Sequence, residues 1–356
     1  MPQVKGNPTN VVSDIPKTAS KLDSSLLNPW GIAIKKNSIW VAVNGSDKLV
    51  NYKLDGTLIK TVPLLGSTGP TAIVTNKKVG FNITGALGSG PSQIITVTES
   101  GGINGFSSLV DNSAVLASNS PGKVFKGATL ADNHLFVTDF FNGMIEKYDS
   151  SFNLVSQFTD VDLVNIGYSP FNILKVRGKL YVTYALQDAS GSDDVPGQGN
   201  GYIDVFDTNG ALLKRFADRG PLNSPWGLLA KCIKWDCQDV LALFVGNFGD
   251  GTINIYNIKT GKFLNSLKNC CEGPLTIDSL WGLAAHKDCV FFAAGIQNEL
   301  HGLVGKICDC CRPCKNPCPP PCKSRKKHYS SSDSSDSSSD SNDSDSDSLD
   351  SDSDSD

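Results

Sequence analysis

One short phrase recurs six times along this 356-residue chain, and the spacing of its copies leaves few folds open. In its fullest form it reads Asn28-Pro29-Trp30-Gly31-Ile32-Ala33, Ser224-Pro225-Trp226-Gly227-Leu228 and Ser279-Leu280-Trp281-Gly282-Leu283-Ala284. Weaker copies stand at Gly69-Pro70-Thr71-Ala72-Ile73, Phe125-Lys126-Gly127-Ala128-Thr129 and Ser169-Pro170-Phe171-Asn172-Ile173. With the Trp position as register, the copies fall at residues 30, 71, 126, 171, 226 and 281, in steps of 41, 55, 45, 55 and 55. A period of this size marks a propeller or a solenoid, in which each unit buries its faces only against its neighbours.

Each copy leads into sequence with the character of strands. Apolar runs such as Ile39-Trp40-Val41-Ala42-Val43, Leu135-Phe136-Val137-Thr138 and Val290-Phe291-Phe292-Ala293 are β-branched or aromatic and too short for helices. Next come alternating stretches, clearest in Gly143–Asp149, Gly201–Asp207 and Gly251–Asn257. Their period of two predicts one packed and one wetter face. Asp55-Gly56, Asn209-Gly210 and Thr260-Gly261 then supply the positive φ that a tight hairpin needs before a fourth strand. The pattern predicts an all-β, six-bladed β-propeller.

The sixth unit stops early, because Cys-rich sequence begins after Ile307 with no fourth strand. An unpaired edge at the ring seam is costly. The segment around Asn10-Val11-Val12-Ser13 is therefore expected to supply the missing outer strand. The Trp-Gly pair is read as structural: an indole wedged between blades, and a glycine that lets backbones approach.

Composition divides the chain into residues 1–307, the propeller; 308–329, a Cys/Pro/basic neck; and 330–356, a Ser/Asp tail expected to be disordered. The tail carries ten Asp and no Lys or Arg, so the whole-chain charge of -4 conceals a nearly neutral ring. That ring shows no nucleic-acid footprint. No stretch is long and apolar enough for a membrane span. The first residues lack an apolar signal-peptide core. The expected location is intracellular or inside a particle such as a virion, with an extracellular one as the alternative.

The openers resemble those of a known family, together with Val245-Gly246-Asn247-Phe248-Gly249-Asp250-Gly251, Gly199–Asp207, Leu180–Ala185 and Pro221–Gly227. It is an uncharacterised bacterial propeller family related to NHL-repeat proteins, many of whose members carry export signals and a PEP-CTERM sorting tail. The resemblance covers roughly residues 10–307. It implies a six-bladed propeller and no known activity. This chain departs from those members in its Cys-rich and Ser/Asp ends.

Polar residues end the second strand of most blades: Asn44, Glu99, Asp139 and Asn247, with Gln187 and Asp188 just beyond Tyr184. Gluconolactonase-like six-bladed propellers hold a divalent cation in the channel on such ligands, and oxygen donors suit Ca²⁺. The competing reading is that these side chains hydrogen-bond the turns beyond them. The loop Gln187–Asp194 holds three Asp without EF-hand spacing. His134, His286, His301 and His328 are scattered, and there is no nucleophile elbow or P-loop.

All eleven cysteines lie from Cys232 onward. Cys232 and Cys237 are spaced to bridge a hairpin, while Cys270 and Cys271 either pair with Cys289 or stay as thiols. Cys308, Cys310, Cys311, Cys314, Cys318 and Cys322 crowd into 15 residues. They allow a disulfide knot, a thiolate site for Zn²⁺, or intermolecular cross-links, with reduced thiols the default in the absence of a signal peptide. The expected function is a non-enzymatic scaffold or binding module. It would associate with a protein partner or with itself through the Cys-rich segment and acidic tail. The alternative is a metal-dependent hydrolase or lyase of the lactonase-like kind.

Overall fold

Each copy of the phrase becomes an innermost strand: Pro29–Lys35, Pro70–Thr75, Phe125–Ala131, Tyr168–Val176, Pro225–Trp235 and Leu280–His286 open blades one to six. The computed structural model describes residues 5–77, 79–236, 238–271 and 273–309. Cys237, the five cysteines from Cys310 onward, most of the neck and the whole tail lie outside them. Blades one to five are four-stranded antiparallel sheets, so the chain is an all-β six-bladed propeller. Blade two carries an extra hairpin, Asn82–Gly85 with Gly88–Pro91, between its first two strands. No helix among the described residues is long and apolar enough to cross a membrane.

The seam closes as the early stop of the sixth unit requires. The N-terminal strand Gly6–Ser13 pairs antiparallel with the last strand, Leu303–Asp309, from Gly6 opposite Asp309 to Ser13 opposite Leu303. Val11 and Val12 are buried there. Just beyond the strand, Asp14 accepts from His301 Nδ1 at 2.7 Å and from the Gly302 N–H at 2.8 Å. The last strand runs two residues past Ile307, so Cys308 belongs to the ring.

Hairpin turns behave as their residues dictate. Gly56, Gly210 and Gly261 take φ of 87°, 95° and 75°. The Asp55 and Asp207 carboxylates accept the backbone N–H two residues ahead.

One expectation fails. The alternating third strands have no wet face: Tyr202–Asp207 and Ile253–Asn257 are buried on both sides until their last residue. Blades pack face to face, so the polar alternates are buried as well and must find partners. Glu146 takes Lys123, Tyr148 and Gln157, Asp204 takes Arg215, and Asn254 takes the Pro221 carbonyl and Ser266.

Candidate functional site

The opener glycines set how closely the inner strands approach. A Cβ on Gly31 would lie 2.5 Å from the Thr71 carbonyl oxygen of the next blade, and one on Gly127 2.5 Å from Asn172 Oδ1. On Gly227 it would lie 2.6 Å from the Trp281 oxygen, and on Gly282 2.5 Å from the Trp30 oxygen. Each glycine thus faces the opener of the following blade. Four blades use this contact; blade four instead places Asn172, whose Nδ2 donates to the Trp226 carbonyl at 2.7 Å.

The register positions of the six openers are Trp30, Thr71, Lys126, Phe171, Trp226 and Trp281, and most of these side chains gather at one end of the channel. Trp30 stacks on Trp281 with centroids 3.6 Å apart, and Phe248 stacks on Trp281 as well, at 4.2 Å. Trp226 meets Trp30 and Trp281 edge-on at 6.1 and 5.5 Å. The indoles therefore pack against one another across the axis, rather than each as a separate wedge between two blades. They are buried to within a few per cent, and Trp281 Nε1 donates to Glu299 at 3.1 Å.

Lys126 is the exception in this ring. Its side chain is 1% exposed, yet its ammonium sits 2.7 Å from Glu99 Oε1 and 3.4 Å from Asp193 Oδ1. It also lies 4.7 Å above the Trp30 ring. Burial works against its charge, but the Glu99 and Asp193 carboxylates outweigh burial and hold its pKa above the usual lysine value. Asn44 Nδ2 donates to the other Glu99 oxygen at 2.8 Å.

Of the four channel candidates, Asn44 and Glu99 thus come together, around a lysine. Asp139 stays within its own blade: it accepts from Asn142 Nδ2 at 2.7 Å and from the Val124 N–H at 3.3 Å, and burial raises its pKa. Asn247 donates to the Pro221 carbonyl at 2.8 Å and to Thr252 and Asp250 in its own turn. Among the described residues no group of three or more His, Cys, Asp or Glu side chains is arranged to hold a metal ion. Sequence reasoning does not single out Lys126. The available signal is a cation at a repeat position that elsewhere holds mostly aromatic residues.

The loop Gln187–Asp194 folds over this end of the channel. Gln187 Nε2 donates to the Phe140 carbonyl at 2.7 Å, Asp188 organises the loop through Ser190 and Ser192, and Asp193 reaches Lys126. Asp194 turns inward, and burial pushes its pKa up to about 7, against the smaller opposing effects of Ser224 and the Lys126 charge. Burial also raises the pKa of Glu299. Perturbed carboxylates are hallmarks of active sites. Here the burial that perturbs Asp194 also leaves it only 9% exposed.

The cysteines sort differently from their sequence grouping. Cys308 forms a disulfide with Cys289, directly across the strand pair, with Cα atoms 4.1 Å apart. Cys289 is therefore not the partner of Cys270 or Cys271, and Cys289 and Cys308 are bridged rather than reduced thiols. Cys270 is also disulfide-bonded, while Cys232 and Cys271 are free and exposed. Cys310, Cys311, Cys314, Cys318 and Cys322 lie outside the described residues.

No protein-family model matches the sequence. Among solved structures, a streptogramin B lyase superposes with a TM-score of 0.52 at 13% identity, covering 85% of this chain and 97% of that one. A virginiamycin B lyase from Staphylococcus aureus gives 0.51 at 14%, covering 86% and 99%. At such identities the likeness is one of fold. Sequence relatives are nearer. Uncharacterized protein R648 of Acanthamoeba polyphaga mimivirus is 33% identical over 317 residues, which is 84% of this chain and 79% of that protein. Uncharacterized protein L690 of the same virus is 34% identical over 312 residues, 81% and 82% of the two chains. With openers, blade count and seam in place and similarity running along most of both chains, this protein belongs to the family of these mimivirus proteins.

Proposed function

We propose that the ring is a non-enzymatic scaffold or binding module and a structural component of a particle or surface. The observation that carries this reading is the Lys126–Glu99 pair. An ammonium of the protein itself occupies the carboxylate that a channel cation would need, over an indole stack that fills the passage. The viral source of its relatives supports the particle. We read the family as related to the bacterial NHL-type propellers whose openers it resembles. Association with a partner, or with other copies, falls to the Cys-rich segment and the acidic tail.

Two measurements test this. Quantitative mass spectrometry of purified particles is expected to find the chain at a stoichiometry comparable with coat components; its absence from washed particles overturns the location. Calorimetric titration of the full chain with Ca²⁺ is expected to show no saturable heat. A second reading, a metal-dependent hydrolase or lyase, draws on the meeting of Asn44 and Glu99 at the channel. Saturable Ca²⁺ binding that Glu99→Gln abolishes while the ring stays folded would favour it instead.

A further inference from the structure

All six inner strands run the same way along the channel, so the turns joining them to the second strands share one face. Three of these two-residue turns put a cation first, between Lys35 and Ser38, between Val176 and Lys179, and between His286 and Cys289. Lys36, Arg177 and Lys287 there adopt φ of 53°, 47° and 53°. The left-handed region is strained for a residue with a Cβ, and Asn, Asp or Gly are the usual occupants. Blade three follows that rule with Asp132 and Asn133. Cations at the strained position of three blades are thus not explained by the turn.

The charges lie close together. Lys35 is held below the usual lysine pKa by burial first, and then by the positive charges of Lys36 and Lys77. Lys231 of blade five donates to the backbone carbonyl of Lys287 in blade six. Blades five, six, one and two are consecutive around the ring, so their lysines form one arc. Asp132, Asp236 and Asp288 also lie in these turns, and Lys234 is paired with Asp239, leaving the cations in excess. The turns of the opposite face carry Glu99, Asp139, Asp188, Asp193, Asp194 and Asp250.

The last strand leaves the ring at the basic face. Cys308 is disulfide-bonded to Cys289, two residues beyond Lys287. From there, residues 310–329 can span at most about 70 Å, more than the roughly 50 Å diameter of a domain of this size. Then come the ten Asp of residues 330–356. The six Lys and Arg of the neck neutralise only part of that charge and leave four negative charges over. Tethering this close gives the tail a millimolar effective concentration at the ring.

We propose that the basic arc around Lys35, Lys36, Lys77, Lys231 and Lys287, with Arg177, is a docking surface for the chain's own Ser/Asp tail, residues 330–356. The contact is electrostatic, without a fixed register, and weakens as salt shortens the screening length. A partner with a cationic surface would compete with the ring for the tail.

Carbodiimide coupling of the full-length chain at low salt tests the arrangement, since it joins carboxylates to neighbouring lysines with loss of water. Mass spectrometry is expected to find tail Asp linked to Lys35, Lys36, Lys77, Lys231 and Lys287, with yields collapsing at 0.5 M salt. Links mainly to Lys323, Lys326 and Lys327, or spread evenly over the surface lysines, overturn the proposal. So do links between differently isotope-labelled copies, which mean docking in trans. The triple variant Lys36→Asn, Arg177→Asn, Lys287→Asn puts a residue suited to the turn at each site. Links to the remaining Lys35, Lys77 and Lys231 should fall roughly eightfold, a factor of about two for each exposed charge removed. Unchanged yields in that variant sink the idea, and the salt series decides the matter should the variant fold poorly.

Discussion

Lys126 and Glu99, from blades three and two, form an ion pair of 2.7 Å in which the lysine is 1% exposed and the glutamate 33%. The asymmetry decides what each substitution does. Glu99→Gln strands a buried ammonium beside Asp193, which is itself 61% exposed. Breaking a buried pair costs up to about 3–5 kcal/mol, and Asp193, still 3.4 Å from the ammonium, retains part of that. Lys126→Met keeps most of the packing over Trp30, and leaves a carboxylate that reaches water and Asn44; about 1–2 kcal/mol is expected, allowing for solvent screening. Urea denaturation of both variants checks the order, and a larger loss for Lys126→Met contradicts it.

Gly282 tests the close approach at the ring seam. A Cβ there meets the Trp30 oxygen at 2.5 Å and Ile32 Cγ2 at 2.8 Å, so a backbone must move. Gly282→Ala should cost about 3 kcal/mol or more. Gly178→Ala, at a φ of 72° with nothing within 4 Å, should cost only the local backbone strain of about 1 kcal/mol. Equal melting temperatures for the two variants would falsify the packing role.

Deleting residues 1–13 removes the strand that pairs with Leu303–Asp309 and buries Val11 and Val12. A bare edge and an exposed apolar seam should lower the melting temperature of the whole ring and promote aggregation. Asp14→Asn is the milder version: it keeps the strand but weakens the bonds to His301 and Gly302. A loss of about 1 kcal/mol is expected. A deletion variant that melts like the full chain would show that the ring closes without its N-terminus.

Asp194 makes a pH prediction whose sign comes from linkage. Its folded pKa, about 7, stands well above the ordinary aspartate value, so the native state keeps a proton that the unfolded chain has released. The stability tied to that proton is complete below about pH 4 and lost as pH rises through about 7. Asp194→Asn removes the dependence: the variant should gain on wild type as pH is raised from about 5 to about 8. Comparing denaturation at the two pH values isolates this group from Asp23, whose lowered pKa acts in the opposite sense. A difference that does not change with pH excludes a shifted Asp194.

The Cys289–Cys308 disulfide closes a loop with a sequence separation of 19. In the chain-entropy account such a loop contributes about 3 kcal/mol. Cys308→Ser should lower the unfolding midpoint accordingly, and reductant should lower that of the wild-type chain by at least as much, since it also breaks the Cys270 bond. A reductant-insensitive midpoint would mean that the pair is not oxidised in solution.

The six openers, read as periodic phrases, determined the number of blades, the identity of every inner strand and the place of the seam. These are local or periodic properties, because a strand run, a turn glycine and a missing fourth strand are all written along the chain. The features left open depend on which blades touch. The alternating polar residues Glu146, Asp204 and Asn254 read as solvent-facing, since a period of two records a difference between faces and not what covers them. Asn44, Glu99, Asp139 and Asn247 look equivalent as strand ends; only the packed ring sends Glu99 to Lys126 and ties Asp139 and Asn247 to their own turns and to the segment before the opener of their own blade. Cys308 looks like part of the neck, because nothing in its neighbourhood shows that Cys289 lies across the sheet. The local sequence thus set the strands and the closure of the ring. Contacts between blades, made by residues tens of positions apart, decided that a buried lysine and three stacked aromatic rings fill the end of the channel.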